Sequence, residues 1–594
     1  VPEAQVEISS GLKMTIIGEK SCTMILSEQV RMGGGILTGI KVTDTDDWTV
    51  YSVVKGEGTQ ASPYILKTPQ DLEQMKGLMV SGRTVWFELG ADIDMTDVLN
   101  WEPLNTTKPF DKAVHFDGKG FTISNFSCKD KFYCSFFGVL NGYCANVTFD
   151  KASIAAQTAG SSMGVVAGFA GTADGVHASA ENIHVRNASI NATFKAGDIY
   201  PVGGIFGTMA YSAATDCSFD GALYSEAYGG AAESNNNRCP SGGIAGRVRE
   251  SSSITRCTSS GSIIATKGRY IGGIAGWVSA SENTPITGCT NNASVTGGVD
   301  RVAGIVGHYQ QGTISACVNT GAISAQYNDN ISGAGGIVGY SGPCNIVDCV
   351  NEGNVIGAKR YVGGILGCGE NQTVIERCCS TGEVTGGSRI VGGIAGCLLY
   401  AGSAIRNCWT SGKVVCPTDQ QAGGILGEMM QNQTVSCCYS TAAVEAARVV
   451  AGIVSRAAGG GWTCTTSHGD TIEKCIAWNT YVKATTSGSV SSLGGSGVVV
   501  GFTSFYNTLS SCWRSPSLVY TPSDTAGNAA CDQPDCSPSS PYSTSTPGIA
   551  GTYGRPYHGK VAAAGDTVSS LATMLGWDTD IWDLTDDLPK FKKR

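Results

Sequence analysis

Residues 270–297 read YIGGIAGWVSASENTPITGCTNNASVTG, and the chain says nearly the same thing again at 301–324 as RVAGIVGHYQQGTISACVNTGAIS and at 361–386 as YVGGILGCGENQTVIERCCSTGEVTG. Two anchors recur. One is a small-Gly-apolar-x-Gly box at 203–207, 242–246, 272–276, 303–307, 335–339, 363–367, 392–396 and 423–427, with worn copies at 451–455 and 497–501 and an early one at 164–168. The other is apolar-x-x-Cys, ending on Cys217, Cys257, Cys289, Cys317, Cys349, Cys378, Cys408, Cys438, Cys475 and Cys512. From Cys257 to Cys438 the steps stay between the 28 residues of Cys289 to Cys317 and the 32 of Cys317 to Cys349. A fixed period of this length means stacked units, none of which buries its apolar face alone.

Each unit holds three short β-type runs: around Ile-x-x-Cys, around Gly-x-Val, and the glycine box. None has the length or period of a helix. Glycines mark the corners, where positive φ or a close backbone approach is needed. The expected fold is all-β: a parallel β-helix (β-solenoid) with three short strands per coil and about 10–13 coils. Equivalent residues stack at roughly 4.8 Å, giving a rod on the order of 50–60 Å long. Ile286 and Cys289 are three apart, so strict alternation would put them on opposite faces; a bend or bulge between them is expected, with both pointing inward. The ten cysteines then form an inward ladder of small apolar side chains. Parallel stacking aims neighbouring thiols the same way, which suits a disulfide poorly, and no Cys-x-x-Cys pairs or histidine partners point to metal. Cys531 and Cys536 differ: in CDQPDC, within the Ser/Pro/Thr-rich stretch 515–556, they are expected to close a small disulfide loop.

Over 594 residues, the 81 glycines are about twice the usual share, while charged residues are sparse at 15%. Regular spacing between β-branched residues argues against a disordered glycine-rich chain. A net charge of −9 without a basic stripe speaks against nucleic acid. No run of 18 apolar residues offers a transmembrane helix. The sequence starts at Val1 without an initiator Met or signal peptide, as a mature or trimmed product would.

A solenoid must close its open ends. Residues 56–127 are expected to form the N-terminal cap, with Thr68 as N-cap and Pro69 in the first turn of a short helix, followed by the strand TVWFELGADI. About 558–594, SSLATMLGWDTDIWDLTDDLPKF included, are expected to form the other cap from one short helix and a final strand. Here the Gly-Gly-Ile-Ala-Gly box, Ile-x-x-Cys and Asn-x-Gly resemble the GLUG repeat of bacterial cell-surface proteins. The opening GTQASPYILKTPQDLEQM…ADIDM…FDGKGFTISN and the closing Trp-rich segment with DLPKF are similar to the ends of such domains in Bacteroidetes-type exported proteins. The resemblance covers residues 56–594 and implies a right-handed solenoid, export, display on an outer membrane, and adhesin-like work. Such proteins are often anchored by a lipidated N-terminal Cys, which this chain does not show at its start. Residues 1–55 alternate apolar and polar as three or four strands would. They are expected to form a small β segment, either a cap on the solenoid or, by a faint resemblance, part of an Ig-like or fimbrillin-like domain open to completion by another subunit.

A polysaccharide-cleaving solenoid would need clustered carboxylates on one face, whereas the positions between anchors show Ser, Thr, Asn and Gly. SHGD at 467–470 resembles the Ser/Gly-His-Gly of polygalacturonases, without the Asn-Thr-Asp-Gly and Asp-Asp elements that accompany it there. No His-Glu-x-x-His occurs, and neither Lys-Ser/Thr nor a helix follows the glycine boxes as in a phosphate loop. No enzyme activity and no resident cofactor are expected. Binding is the better prospect. Trp409, Tyr439 and Trp513 directly follow ladder cysteines; if the cysteines face in, these face out as an aromatic strip for sugar rings or a protein partner. The competing expectation is that insertions at about 456–471 and 514–557 cover it. A second set, Trp277, Tyr309, Tyr340 and Tyr400, lies just beyond the glycine box at turn positions. The acidic clusters Asp44–Asp47 and Asp578–Asp587 offer oxygen ligands for Ca²⁺. The expected function is that of an exported cell-surface adhesin or ligand-binding protein whose partner is a host or bacterial surface glycan or protein. Its rivals are a subunit of a surface assembly, such as a pilus tip or outer-membrane complex, and a β-helix polysaccharide-degrading enzyme.

Overall fold

A computed structural model describes residues 22–24, 48–50, 54–156, 162–172, 176–195, 199–228, 239–279, 283–298, 300–326, 333–358, 360–418, 421–457, 469–486, 496–503, 507–522 and 555–592. Coil upon coil, the chain winds through three sheets whose inter-coil pairing is parallel: a long sheet of 38 strands, a box sheet of 13 and a short sheet of nine among the described residues. In the box sheet the last strand, Arg555–Tyr557, joins antiparallel; each of the others marks one coil, in line with the expected coil number. The coil beginning at Arg269 is representative. Arg269–Gly272 lies in the short sheet, Ala275–Val278 in the box sheet, and Ile286–Thr287, Thr290–Asn291 and Ser294–Gly297 in the long sheet. The three runs expected per coil are present, two of them each broken into a pair of strands.

The break in the Ile-x-x-Cys run is the bend its spacing demanded. The residue before each ladder cysteine (Asp216, Arg256, Gly288, Ala316, Asp348, Arg377, Asn407, Cys437, Lys474 and Ser511) is left-handed, with φ between 51° and 65°. One such residue reverses the side-chain alternation, so both the apolar residue and the cysteine point inward. Its amide stays paired, donating to the next coil: Arg256 to Thr287 O, Gly288 to Ser315 O, Ala316 to Val347 O. The apolar column runs in register through Ile254, Ile286, Ile314, Ile346, Ile375, Ile405 and Val435, all buried. Each such side chain contributes roughly 1.5–3 kcal/mol of burial.

The ten ladder cysteines are free and buried. Each thiol faces carbonyls rather than another sulfur's bonding direction: Cys317 Sγ lies 3.3 Å from Ser315 O and 3.7 Å from Ile286 O of the preceding coil. Val147 and Ile183 hold the same register in the two coils before Cys217, each one residue before the paired strand positions Thr148, His184 and Ser218. Beside the thiols runs a second inner ladder. Asn291 Nδ2 donates to Asn319 Oδ1 and Asn319 Nδ2 to Asn351 Oδ1, both at 2.8 Å; the column continues through Ser380, Thr410 and Ser440, every one buried. This ladder explains the second glycine of the box. A Cβ at Gly273 would stand 2.2 Å from the Asn291 side chain, so the requirement is space and not φ. The last glycine serves the other side: a Cβ on Gly276 would meet the short sheet's backbone at Ser241 N (2.5 Å) and Tyr270 O (2.6 Å). The outer faces of box and short sheets therefore meet at a narrow angle.

At the start, helix α1 (Pro69–Leu78) has Thr68 as N-cap with a capping box to Asp71 and Pro69 in its first turn, as expected, and buries Leu72 and Met75 in the core. At the far end Arg555–Tyr557 and Lys560–Val561 finish the box and long sheets. Helix α2 (Val568–Met574) and the hairpin of Trp582–Asp583 with Lys590–Phe591 pack instead against the flank of the long sheet. Of residues 1–55, the structure describes chiefly Cys22–Met24 and Trp48–Val50, paired in parallel; the rest of that expected β segment lies outside the described residues. Among the described residues no helix is long and apolar enough to cross a membrane.

Candidate functional site

Among the described residues, outward aromatic side chains gather in several places on this rod, including a partly exposed cluster of Phe132, Tyr133 and Phe169; three of these places bear on the expected sites. The first is the strip expected from the sequence. Trp409, Tyr439, Ile476 and Trp513 stand in register just after the ladder cysteines, facing out, with the Trp409 and Tyr439 rings 5.8 Å apart and nearly parallel. The strip is not a free surface. The C-terminal segment folds back over it: Trp577 and Trp582 lie 6.3 and 6.0 Å from the Tyr439 ring, Tyr439 donates its hydroxyl to Pro589 O at 2.7 Å, and Trp582 Nε1 donates to Asn407 Oδ1 at 3.2 Å. Tyr439 is 2% exposed and belongs to a satellite core with Val568 and Leu571. For Tyr439 the expected exposure is corrected, by residues 562–591, while Trp409 and Trp513 stay half-buried; of the insertions at about 456–471 and 514–557, residues 458–468 and 523–554 lie outside the described residues.

The second place is the angle between box and short sheets. Its outward column runs Arg247, Trp277, His308, Tyr340, so Trp277 and Tyr340 come together as expected with His308 between them. Tyr309 does not join them: one residue out of phase, it points into the core, fully buried, and donates to Thr284 O at 2.8 Å. Tyr400 stays exposed at a left-handed turn, away from the column. The angle is filled by the chain's own cations. Arg301 lies 5.1 Å from the Tyr270 ring and 4.1 Å from that of Tyr340, and donates to His308 Nδ1 at 2.9 Å, which keeps that nitrogen unprotonated. Arg247 covers Trp277 at 4.3 Å. Asp300, buried, stands 3.4 Å from Arg301 and 3.6 Å from Arg269. With Trp277 9% and Tyr340 5% exposed, this is a packed seam rather than a binding face.

The third place escaped the sequence reading. In the N-terminal coils Trp86, His115 and Tyr143 stand in register on the outer face of the long sheet, with ring centroids 3.6 and 4.6 Å apart and each side chain half-buried. One column over, Glu88 and Asp117 share Lys119 at 3.1 and 3.4 Å, and Tyr143 donates to Glu181 at 3.1 Å. From there a polar chain climbs the face: Asn146 Nδ2 donates to Asp117 (3.1 Å), Asn182 Nδ2 to Asn146 (2.9 Å), and His184 bridges Asn182 (3.0 Å) and Ser218 (2.8 Å). Burial works upward on Asp117, but hydrogen bonds from the Lys119 amide and Asn146, with the Lys119 charge, carry it below its ordinary value; burial holds His115 and His184 low. A carboxylate kept ionised is no proton donor at neutral pH. The signal was available in VWFEL, VHFDG and GYCAN, which alternate in phase one coil apart, but these coils lack the box-and-cysteine anchors.

The remaining expected features resolve simply. Asp578 and Asp583 accept amides two residues on, and Asp586 pairs with Lys590 at 2.6 Å. Asp44–Asp47, Cys531 and Cys536 lie outside the described residues, as do Ser467 and His468; Asp470 is buried and accepts the Gln433 amide at 3.1 Å. Among the described residues no three His, Cys, Asp or Glu side chains gather as metal ligands would.

No protein-family model matches the chain. A candidate Gly-rich membrane protein of Evansella cellulosilytica is 30% identical over 122 residues, 19% of this chain and 14% of that protein. Halomucin of Haloquadratum walsbyi is 29% identical over 208 residues, 32% of this chain and 2% of halomucin. The chain thus spans a small fraction of either relative. Among solved structures, a Bacteroides ovatus protein described as a candidate immunoglobulin A1 protease aligns over 90% of this chain and 94% of its own at 18% identity, with a TM-score of 0.24; a likeness that slight does not speak for a shared site.

Proposed function

We propose that this chain is an exported, cell-surface, ligand-binding rod of the GLUG-repeat kind, adhesin-like in its work. The observation that carries the reading is the N-terminal aromatic column: three stacked rings left half-exposed beside carboxylates on the flank of an extended solenoid, while Tyr439 and the Trp277–Tyr340 seam are covered by the chain itself. Apolar ring surface left in water at a built, hydrogen-bonded face is where a binding function belongs. The names of the two partial relatives, a Gly-rich membrane protein and halomucin, fit an envelope setting. Asp117, held ionised by the Lys119 amide, Asn146 and the Lys119 charge, is unsuited to serve as the proton-donating acid of a glycoside hydrolase.

The reading is tested by protease shaving of intact producing cells together with adherence of beads coated with the full chain to mucin-coated and to bare protein-coated surfaces. Release of its peptides from intact cells and adherence above that of uncoated beads are expected. Peptides protected until lysis, or beads that adhere nowhere, would contradict it.

A further inference from the structure

The three N-terminal rings lie across the rod like rungs, their separations of 3.6 and 4.6 Å close to the distance between coils. The ring faces of the stack therefore look along the axis. His115 covers one face of Tyr143. On the other side the register partners of Tyr143 are Ser179 and then Ala213, too small to extend the stack. The coil of Ser179 thus forms a shelf above Tyr143. On it His177, Ser179 and Glu181 alternate on the outer face, all exposed, and Tyr211 of the following coil stands 5.7 Å from the His177 ring. Glu181 already reaches down to the Tyr143 hydroxyl at 3.1 Å.

We propose that this shelf is a subsite for one neutral pyranose ring, stacked on the open face of Tyr143, with hydroxyls donating to Glu181 and accepting from Ser179 and His177. The chemistry favours a sugar over a flat apolar ligand. The floor is one aromatic face and the walls are hydrogen-bonding groups, the pairing that suits a ring with C–H bonds on its face and hydroxyls around its rim. A pyranose is about as thick as one inter-coil step of roughly 4.8 Å. The sign of charge excludes the acidic sugars. Glu88, Asp117 and Glu181 face this side; Lys119 is shared by the first two, and Arg256, within electrostatic reach of Glu181, is paired with Asp216, so a uronate would add a further negative charge at short range.

The inference rests on the proposed ligand-binding function and names its ligand class. It is tested with the full chain by saturation-transfer NMR against the methyl pyranosides of glucose, galactose, mannose and N-acetylglucosamine, with glucuronate alongside. Expected is transfer to the ring protons of at least one neutral sugar, at least fivefold above that to glucuronate. Tyr143→Ala should cut it at least fivefold, Glu181→Gln a few-fold. Ser179→Trp should abolish it while leaving the melting temperature unchanged or raised, because its ring adds a fourth rung where the sugar would stack. No transfer to any neutral sugar, or transfer that survives Ser179→Trp, would overturn the shelf. If coated beads still adhere when every pyranoside fails, the shelf alone is wrong; if sugar transfer holds and adherence fails, the surface role is wrong.

Discussion

Tyr143 and Tyr439 stand toward opposite ends of one long sheet in matching settings. Each points outward, each sits in a stack of rings, and each donates its hydroxyl to an acceptor from another coil or segment. The acceptor separates them. For Tyr143 it is Glu181, on the neighbouring coil, and the ring stays half-exposed. For Tyr439 it is the carbonyl of Pro589, 150 residues on, carried by a segment that lays Trp577 and Trp582 over the column. Parallel stacking builds outward aromatic columns wherever the repeat places rings in phase; whether a column becomes surface or core is decided by the chain that returns over it.

The largest effect should come from breaking that return. Trp582→Ala removes a side chain 1% exposed and should cost about 3–5 kcal/mol of cap stability. Hydrogen exchange should then show α2 and the Trp409–Trp513 column opening together, with the mid-ladder amides unchanged. A smaller effect separates inside from outside. Asn319→Ala takes the acceptor from Asn291 Nδ2 and the donor from Asn351 Oδ1 in a buried ladder and should cost about 1–3 kcal/mol. Ser294→Ala, exposed on the outer face of the same sheet, should stay within about 0.5 kcal/mol. Urea titration of both variants checks the contrast.

The thiol ladder gives a pH test of comparable size. Burial pushes the thiols of Cys438, Cys475 and Cys512 well above their ordinary value. The unfolded thiol ionises near pH ~8.5, so the contribution of each is complete below that pH and is lost as pH rises from there toward the raised folded value, at about 1.4 kcal/mol per unit. Cys438→Val should therefore flatten the alkaline fall in the urea midpoint by about that amount relative to the parent chain; an unchanged slope would place this thiol in water. A modest loss is expected of His115→Ala, which removes the middle rung of the open stack and should cost about 1 kcal/mol, leaving α2 exchange untouched.

Much of this was legible in the repeat. The period gave the coils, one cysteine per period gave the ladder, and the odd spacing of Ile286 and Cys289 required a bend that the left-handed residues supply. Three things were not legible. Nothing in a local pattern shows that the box splits into two strands meeting at a narrow angle, because Gly276 is selected by backbone atoms of the short sheet, Ser241 N of the preceding coil and Tyr270 O of its own. Tyr309 looks like the successor of Trp277, but the true register partner is His308, one residue earlier, and one residue in a strand exchanges surface for core. The open aromatic column lies in early coils without the cysteine anchor, Val147 taking that register in the coil of Tyr143, so the anchors that revealed the later coils were silent there. The false exposure of Tyr439 has a different cause: register can be counted along a chain, and coverage cannot.

The contrast between the two tyrosines is tested most directly by nitration of the intact chain at neutral pH, with the modified residues mapped by mass spectrometry. Tyr143 should be nitrated readily and Tyr439 protected, the protection vanishing in Trp582→Ala. Equal modification of the two in the parent chain, or protection of Tyr143, would contradict the assignment of one column to the surface and the other to the interior.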